Sequence, residues 1–216
     1  LTYRDWDFCQ IQYNYMDTEE QAGDRGYELT EKLGIPVIIM EPIKGGSLAE
    51  LPEDITAIFK KADPKASVAS WALRFVASRK NVKTVLSGMS TYDQVLDNLD
   101  TFSAFKALTS EEELVVERVA ATIKSRVKNG CTACRYCMPC PAGVDIPKNF
   151  AIWNQHAMYG NTGHTKWAYF TNFNEENRAD RCISCGKCET VCPQKIAIRD
   201  DLSKVVSDMD LSLIHI

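Results

Sequence analysis

The chain has 216 residues, of which 45% are hydrophobic and 25% charged, and its net charge at pH 7 is −4. This apolar content is sufficient for a buried core, and the lack of clustered Lys and Arg excludes a nucleic-acid surface. The longest apolar run, "IPVIIM", is far below the roughly 18 residues of a membrane span, so we expect a cytoplasmic protein without a membrane partner.

Short strands and helices alternate from the start of the chain. Residues Phe8–Tyr13 are apolar or β-prone and predict a strand. Thr18 with Gln21 then predicts a capping box and a helix that ends at Gly34, a residue suited to a left-handed helix end. The fully apolar "VIIM" that follows Pro36 predicts a second strand of the kind found in parallel sheets.

Two further helices and a strand follow in the same pattern. Asp63-Pro64 predicts a helix start, "VKTVL" predicts a third strand, and Thr91 with Gln94 predicts a second capping box. The alternation is typical of parallel strands joined by right-handed crossovers, although three strands cannot close a barrel. The two helices are predicted to bury Val68, Trp71, Ala72, Phe75 and Val76, and Val95, Leu96, Leu99 and Phe102.

A domain boundary is predicted at residue 130. A helix begins near Ser110, with Glu113 at its third position, and ends at Asn129-Gly130. We therefore expect a first domain over 1–129, a second over 130–200 and a tail over 201–216. The second domain lacks strand signals, and "DIPKNFAIWNQHAMYG" predicts a helix, so we expect it to be small, helical and held together by cysteines.

Both ends indicate that the chain is a piece of a longer protein. Leu1 is not an initiator methionine, and the sequence opens directly on a predicted strand. The last residues, 211–216, read "LSLIHI" and resemble the translation of a sequencing adapter, so we expect them to be an artefact.

Eight of the nine cysteines form two evenly spaced series. The second series has the spacing C-x2-C-x2-C-x3-C-P, which is that of bacterial two-cluster ferredoxins. In that arrangement three thiolates bind one [4Fe–4S] cluster and the fourth binds the neighbouring cluster. The first series departs from this spacing, because only Met138 and Pro139 separate its third and fourth cysteines. The exchange of the fourth ligand therefore follows from the spacing more directly at Cys192 than at Cys140.

The spacing predicts two clusters with exchanged fourth ligands. Zinc also uses C-x2-C pairs but needs only four ligands, and disulfides are rare in the cytosol, so two iron–sulfur clusters are favoured over both. The region Gly130–Arg199 resembles a helical dicluster ferredoxin. We assign one cluster to Cys131, Cys134, Cys137 and Cys192, and the other to Cys182, Cys185, Cys188 and Cys140.

The first half carries a second resemblance. The segments "CQIQYN", "IPVIIMEPIKGG" and "VLSGMSTYDQVLDN", in that order, resemble the last three strands of the aldo/keto reductase (β/α)8 barrel. The resemblance spans Trp6–Phe105, and a subfamily fuses such a barrel to a ferredoxin-like C-terminus. It implies an α/β fold followed by a mainly α part, as a partial (β/α)8 barrel of three strand–helix units before a small helical ferredoxin-like domain.

The resemblance implies a nicotinamide-binding site at the carboxyl ends of the strands. Gln10 matches the residue that holds the carboxamide, and Met40 stands where many members stack a tyrosine on the ring. The following loop supplies Lys44 and glycine N–H groups for the pyrophosphate. The implied cofactor-binding residues are Gln10, Met40, Glu41, Ile43, Lys44, Gly45, Gly46, Asp97 and Asn98, the last two being the adenine-contacting pair.

The resemblance also implies a cofactor preference and a missing catalytic set. Gly88 and Gln94 stand where members that prefer NADP have basic side chains, which favours NAD. The catalytic Asp, Tyr, Lys and His of the family come from the first four strands, so this chain has no catalytic residue and we expect it to be inactive alone.

Two functions are compatible with these features. The first is an NAD(P)-linked oxidoreductase that acts on a small carbonyl or alcohol, with two [4Fe–4S] clusters that exchange electrons with a redox partner protein. The second is an electron carrier or binding module, in which a non-catalytic barrel is a scaffold and the clusters are structural or redox-sensing.

Overall fold

The structure is a computed structural model that describes residues 1–160 and 162–209. It divides the chain into two compact units, of which the first is Leu1–Thr122 and the second begins at Ile123. The artefact expected at residues 211–216 lies outside the described residues. None of the described helices is long and apolar enough to cross a membrane.

The first unit contains a parallel sheet whose spatial order follows the chain. The strands lie side by side in the order β1-β2-β3, and both pairings are parallel, as the alternation of strands and helices predicted. The elements are β1 (Cys9–Gln12), α1 (Gly23–Leu33), β2 (Val37–Met40), α2 (Glu53–Ala62), α3 (Val68–Ala77), β3 (Val82–Val85) and α4 (Tyr92–Ser103). Helix α5 (Ser110–Lys124) begins in this unit and ends two residues beyond it.

The two faces of this sheet differ in burial. Val37 and Ile39 are completely buried on one face. On the other face Gln10 pairs with Ile38, and Ile38 pairs with Thr84. Gln10 and Thr84 are exposed, and Ile38 is half-buried. One face of the sheet is therefore part of the core, and the other stays accessible in this unit.

Aromatic side chains form much of the first core. Trp71 stacks on Phe59 at 4.9 Å between ring centroids, and Tyr13 stacks on Phe75 at 5.8 Å. Burial of each large apolar side chain contributes about 1.5–3 kcal/mol, and aromatic pairs add to it. The predicted apolar stripe of α3 is confirmed at Trp71, Ala72, Phe75 and Val76, which are buried, whereas Val68 is only half-buried.

Two of the predicted helix starts were wrong. The capping box at Thr18 and Gln21 does not form, because Gln21 has a φ of 51° and its side chain donates to Gln12 instead. Helix α1 begins at Gly23, whose φ is also 51° and where a Cβ would lie 2.4 Å from the Thr18 carbonyl oxygen. Asp63 does not begin a helix but ends α2, a helix that the sequence reading missed.

Helix α3 begins later than predicted. Ser67 is its N-cap and accepts a hydrogen bond from the Ser70 N–H at 3.0 Å. Local hydrogen bonding, rather than the Asp-Pro pair, therefore sets the start of this helix.

Helix α4 confirms its predicted cap but not its predicted burial. Thr91 and Gln94 form a reciprocal capping box. Leu96, Leu99 and Phe102, which we expected to face inward, are 47%, 59% and 40% exposed. Periodicity identifies an apolar side of a helix but not the element that covers it, and the described part of this unit leaves that side open.

The second unit is helical, as predicted, and no strand is described in it. Asp145 caps α6 and accepts from the Lys148 N–H at 3.3 Å. Helices α6 and α9 pack together around a small apolar core that includes Phe150 and Leu202. The helices are α6 (Ile146–Tyr159), α7 (Thr162–Asn172), α8 (Lys187–Thr190) and α9 (Ile198–Met209).

Candidate metal centre and cofactor edge

The two cysteine loops repeat one backbone conformation. In each series a left-handed residue lies directly before and directly after the second cysteine, and another lies three residues after the fourth. For residues other than glycine this conformation costs about 1–2 kcal/mol each. The corresponding pairs are Ala133 (φ 54°) and Ser184 (53°), Arg135 (65°) and Gly186 (76°), and Gly143 (83°) and Lys195 (52°).

Backbone hydrogen bonds follow the same repeat. The Gly143 N–H donates to the Cys140 carbonyl at 3.0 Å, and the Lys195 N–H donates to the Cys192 carbonyl at 3.1 Å. In both series a helix, α6 or α9, starts shortly afterwards. Left-handed residues next to right-handed ones turn successive N–H groups inward and make a concave anion site, of the type that surrounds many iron–sulfur clusters.

Two cavities lie inside these loops. The larger, which we call cavity A, encloses about 190 Å³, and the smaller, cavity B, encloses about 20 Å³. Cys137 lines both. The other cysteines divide between them, with Cys140, Cys182, Cys185 and Cys188 at cavity A and Cys131, Cys134 and Cys192 at cavity B.

The donors in these cavities fit iron–sulfur clusters. All eight cysteines of the two series are free, and Cys134 and Cys185 are exposed. Among the described residues no three His, Cys, Asp or Glu side chains could hold a single metal ion. A cluster needs a different arrangement of ligands, because each iron atom takes its own thiolate and the ligand sulfurs are spread around the cube.

Burial perturbs the central thiols. Burial raises the pKa of Cys137 to about 11, and the neighbouring Cys131 and Cys188 contribute to this rise. The pKa of Cys188 is also raised, mainly by burial and secondly by Glu189. Metal binding replaces the thiol proton, so such a site binds metal more tightly as the pH rises.

A buried amide that the sequence reading missed supports the cysteine loops. Asn149 on α6 is completely buried and donates to the carbonyls of Asp145 and Asn177, both at 2.8 Å. Its own oxygen accepts from the Tyr169 hydroxyl at 2.9 Å. The hydroxyl of Tyr169 in turn accepts from the Ala179 N–H at 3.0 Å. A polar residue on a mostly apolar helix face is the signal that could have identified it.

The predicted nicotinamide-binding residues lie in β1, at the end of β2, in the loop that follows β2, and in α4. Gln10 and Met40 lie on the accessible face, and Ile43 is half-buried in the loop that follows β2. This loop is unusually rich in left-handed residues, with φ of 53° at Glu41, 49° at Lys44, 61° at Gly45 and 94° at Gly46. Such strain is concentrated at functional sites, although the cofactor roles of these residues stay predictions.

Lys44 forms an ion pair that the sequence did not reveal. Its ammonium lies 2.5 Å from Oδ1 of Asp17, a carboxylate that is almost fully buried after β1. Asn14 donates to the other carboxylate oxygen at 2.9 Å, and Gln12 does so at 3.1 Å. Burial acts to raise the pKa of Asp17, but these hydrogen bonds outweigh burial and hold the pKa below its usual value.

This ion pair leaves fewer free binding groups at the predicted pyrophosphate site. The Lys44 charge is already balanced by Asp17, and the Gly46 N–H donates to the Ile43 carbonyl at 3.0 Å. A pyrophosphate would have to compete with Asp17 for Lys44. Of the groups predicted for this role, two therefore have internal partners.

The predicted adenine-contacting pair also has internal partners. The Asp97 carboxylate accepts from the Ser67 hydroxyl at 2.7 Å, which ties α4 to the start of α3. Asn98 donates to the hydroxyl of Ser87, in the loop after β3, at 3.1 Å. Gln94, one of the residues that favoured NAD, is held in the α4 capping box.

Comparison with known proteins agrees with the division into two regions. The family model "Aldo/keto reductase family" matches residues 2–120, and the family model "4Fe-4S dicluster domain" matches residues 130–197. One similar solved structure is the holo form of an aldo-keto reductase from Bacillus halodurans, at 23% sequence identity and a TM-score of 0.41. That match covers 51% of this chain and 41% of the other chain, so this chain spans less than half of its length. No curated protein matches the chain.

Proposed function

Because this chain belongs to the aldo/keto reductase family, we propose that the intact protein is an NAD(P)-linked oxidoreductase with two [4Fe–4S] clusters. Its substrate is a small carbonyl or alcohol, and its clusters exchange single electrons with a redox partner protein. The first unit is the last part of a (β/α)8 barrel, and the second is ferredoxin-like. A cytoplasmic location suits thiolate ligands, because the cytosol keeps thiols reduced.

One observation carries this proposal, namely the division of the eight cysteines between two cavities. Apart from Cys137, which lines both, each cavity is lined by the first cysteines of one series and the fourth cysteine of the other. This division supports the exchange of fourth ligands that the cysteine spacing predicts for a two-cluster ferredoxin. When bound, the clusters supply one-electron transfer, and the residues of this chain hold them, exclude water behind them and surround them with backbone N–H groups.

The open surfaces of the first unit support the barrel half of the proposal. A closed barrel covers both the inner face of the sheet and the sides of its helices. The accessible face around Gln10 and Ile38, and the exposed apolar side of α4, are the surfaces that further barrel elements would cover. Without those elements the catalytic set is missing, so we expect no reductase activity from these 216 residues.

Iron and sulfide analysis after anaerobic reconstitution tests the proposal. The chain should bind about eight irons and eight sulfides and turn brown, since each cluster contains four of each. Cys185→Ser should lower or alter this content. Cys9→Ser is the matched control, because Cys9 lies in β1 of the first unit and lines neither cavity, and it should leave the iron content unchanged. Tightly bound zinc without iron would refute the proposal.

A second candidate function is an electron carrier or binding module with a non-catalytic barrel scaffold. The observation that favours it is the internal pairing of Lys44 with Asp17 and of Asp97 with Ser67, which uses side chains predicted to bind cofactor. Titration of the intact protein with NADH and NADPH distinguishes the two. Tighter binding of NADH supports the oxidoreductase and its NAD preference, whereas intact clusters without binding of either nucleotide support the carrier.

A further inference from the structure

The walls of the two cavities carry different charge. Cavity A is lined by two cationic side chains, Lys187 and Arg199. Cavity B is lined by one, Arg135. No acidic residue is among the described residues that line either cavity. A cluster in cavity A therefore has the more positive surroundings.

Of the three cations that line the cavities, two form ion pairs with carboxylates and one does not. Arg199 lies 2.8 Å from a carboxylate oxygen of Glu189, and Arg135 lies 3.6 Å from one of Asp145. Each arginine is thus balanced to a first approximation. Lys187 has no carboxylate partner in the part of the chain that the structure describes. Its charge is therefore not balanced by a carboxylate in the lining of cavity A.

The internal repeat shows that neither Lys187 nor Arg199 has a cationic counterpart in the first series. Tyr136 lies before the third cysteine there, as Lys187 does in the second series. Ile146 and Ile198 are equivalent, since each makes the same backbone hydrogen bond to a carbonyl two residues earlier. The next residue is Pro147 in one case and Arg199 in the other, and each lines its own cavity. A shared backbone therefore carries a neutral residue beside one cluster position and a cation beside the other.

Exposure to water does not distinguish the two cavities, because each lining contains exposed and buried residues. Cavity A has the exposed Ile183 and the buried Leu202 in its lining. Cavity B has the exposed Gln194 and the buried Phe150. The charge of the lining is therefore the difference between the two sites. Reduction adds a negative charge to a cluster, and a nearby cation stabilises that charge.

We infer that the cluster bound by Cys140, Cys182, Cys185 and Cys188 has the higher reduction potential and takes up the first electron, with Lys187 as the residue that raises its potential. The inference rests on the proposed function, because it requires clusters in both cavities. The step is the transfer of one electron from a one-electron donor to the cluster in cavity A, while the cluster in cavity B stays oxidised. No covalent bond forms or breaks.

A redox titration of the anaerobically reconstituted chain, followed by electron paramagnetic resonance, tests this order. Two one-electron steps should appear. Cys185→Ser should alter the spectrum and potential of the upper step, and Cys134→Ser should alter those of the lower step. Lys187→Gln should move the upper step to a lower potential and bring the two steps closer. Lys204→Gln is the control, since Lys204 lies on α9 outside the cysteine loops and lines neither cavity, and it should leave the upper step unchanged.

The outcomes separate the inference from the function on which it rests. Loss of the upper step in Cys134→Ser, with the lower step intact, would overturn the inference while the iron content still supports two clusters. An upper step that does not move in Lys187→Gln would remove Lys187 as its cause. A chain that holds zinc and no iron would overturn both.

Discussion

The two units of this protein are stabilised in different ways. In the first unit, aromatic side chains such as Phe59 and Trp71 pack against a parallel sheet, and this core needs no metal. In the second, short helices surround loops with several left-handed residues, and the core borders directly on the cysteines. The first unit leaves part of its apolar surface open, whereas the second contains all of its predicted ligands.

The difference shows where each unit depends on something outside its own packing. The sheet face around Gln10 and the apolar side of α4 stay exposed in the first unit, and further elements would cover them if the proposed (β/α)8 barrel is correct. The strained loops around Cys134 and Cys185 indicate that the second unit is completed by its cofactor. Each dependence can be tested by changes that should affect one unit and leave the other intact.

Removal of the clusters should have the largest effect. We expect chelation of iron to unfold the second unit fully, because the thiols and left-handed residues then lose the interactions that compensate for them. Hydrogen exchange measured by mass spectrometry should show that α6 and α9 lose their protection while α1 and α3 keep theirs. Equal loss of protection in both units would contradict the division.

Truncation of one large core side chain in each unit should have the next largest effect on stability. Trp71→Ala and Phe150→Ala each remove a fully buried aromatic side chain and should each cost about 3–5 kcal/mol of the free energy of unfolding. Phe150 also lines cavity B, so its variant should lose iron as well. Denaturant unfolding and iron analysis check both. Loss of iron in Trp71→Ala would show that the units depend on each other.

Separation of the buried ion pair should have a smaller effect within the first unit. Lys44→Met leaves the buried Asp17 carboxylate without its cation and should cost about 1–3 kcal/mol. Asp17→Asn leaves a partly exposed ammonium that water can solvate, so it should cost about 1 kcal/mol or less. Chemical denaturation of the two variants, compared with the unchanged chain, measures the asymmetry.

The acid dependence of stability gives a check on this pair. The pKa of Asp17 is lower in the folded chain than its unfolded value of about 3.9. Its contribution to stability is therefore complete above that unfolded value and is lost as the pH falls through the folded value. Asp17→Asn should have a flatter profile below about pH 4. A variant with the same acid profile as the unchanged chain would show that Asp17 does not contribute.

Removal of a helix cap should have the smallest effect. Ser67→Ala in the first unit and Asp145→Ala in the second each remove a side chain that accepts a hydrogen bond at a helix start, which costs about 1 kcal/mol. Asp145 also balances Arg135 beside cavity B. Its variant should therefore raise the lower reduction potential, whereas Ser67→Ala should change neither potential.

Local signals in the sequence predicted the elements that depend on neighbouring residues. The three strands, the capping box at Thr91 and the left-handed end of α1 at Gly34 were all predicted and are confirmed. The capping box predicted at Thr18 was wrong because contacts beyond the local motif decide the conformation there. Gln21 bonds to Gln12, and Gly23 fits closely against Thr18, and neither contact follows from the spacing of Thr18 and Gln21.

The sequence by itself determined the chemistry of the second half. The spacing of its cysteines follows from the shape of a cluster, and that spacing can be read without any fold because the ligands are close along the chain. The sequence also determined the alternation of strands and helices in the first half, since this depends on periodicity.

Only the tertiary structure decided which charges meet. The pairing of Lys44 with Asp17 joins the loops after two different strands. The placement of Lys187 and Arg199 at one cavity depends on how the second series folds back on α9. Electrostatic interactions depend on the distance between charges and on their burial, and neither quantity can be read from the order of residues alone.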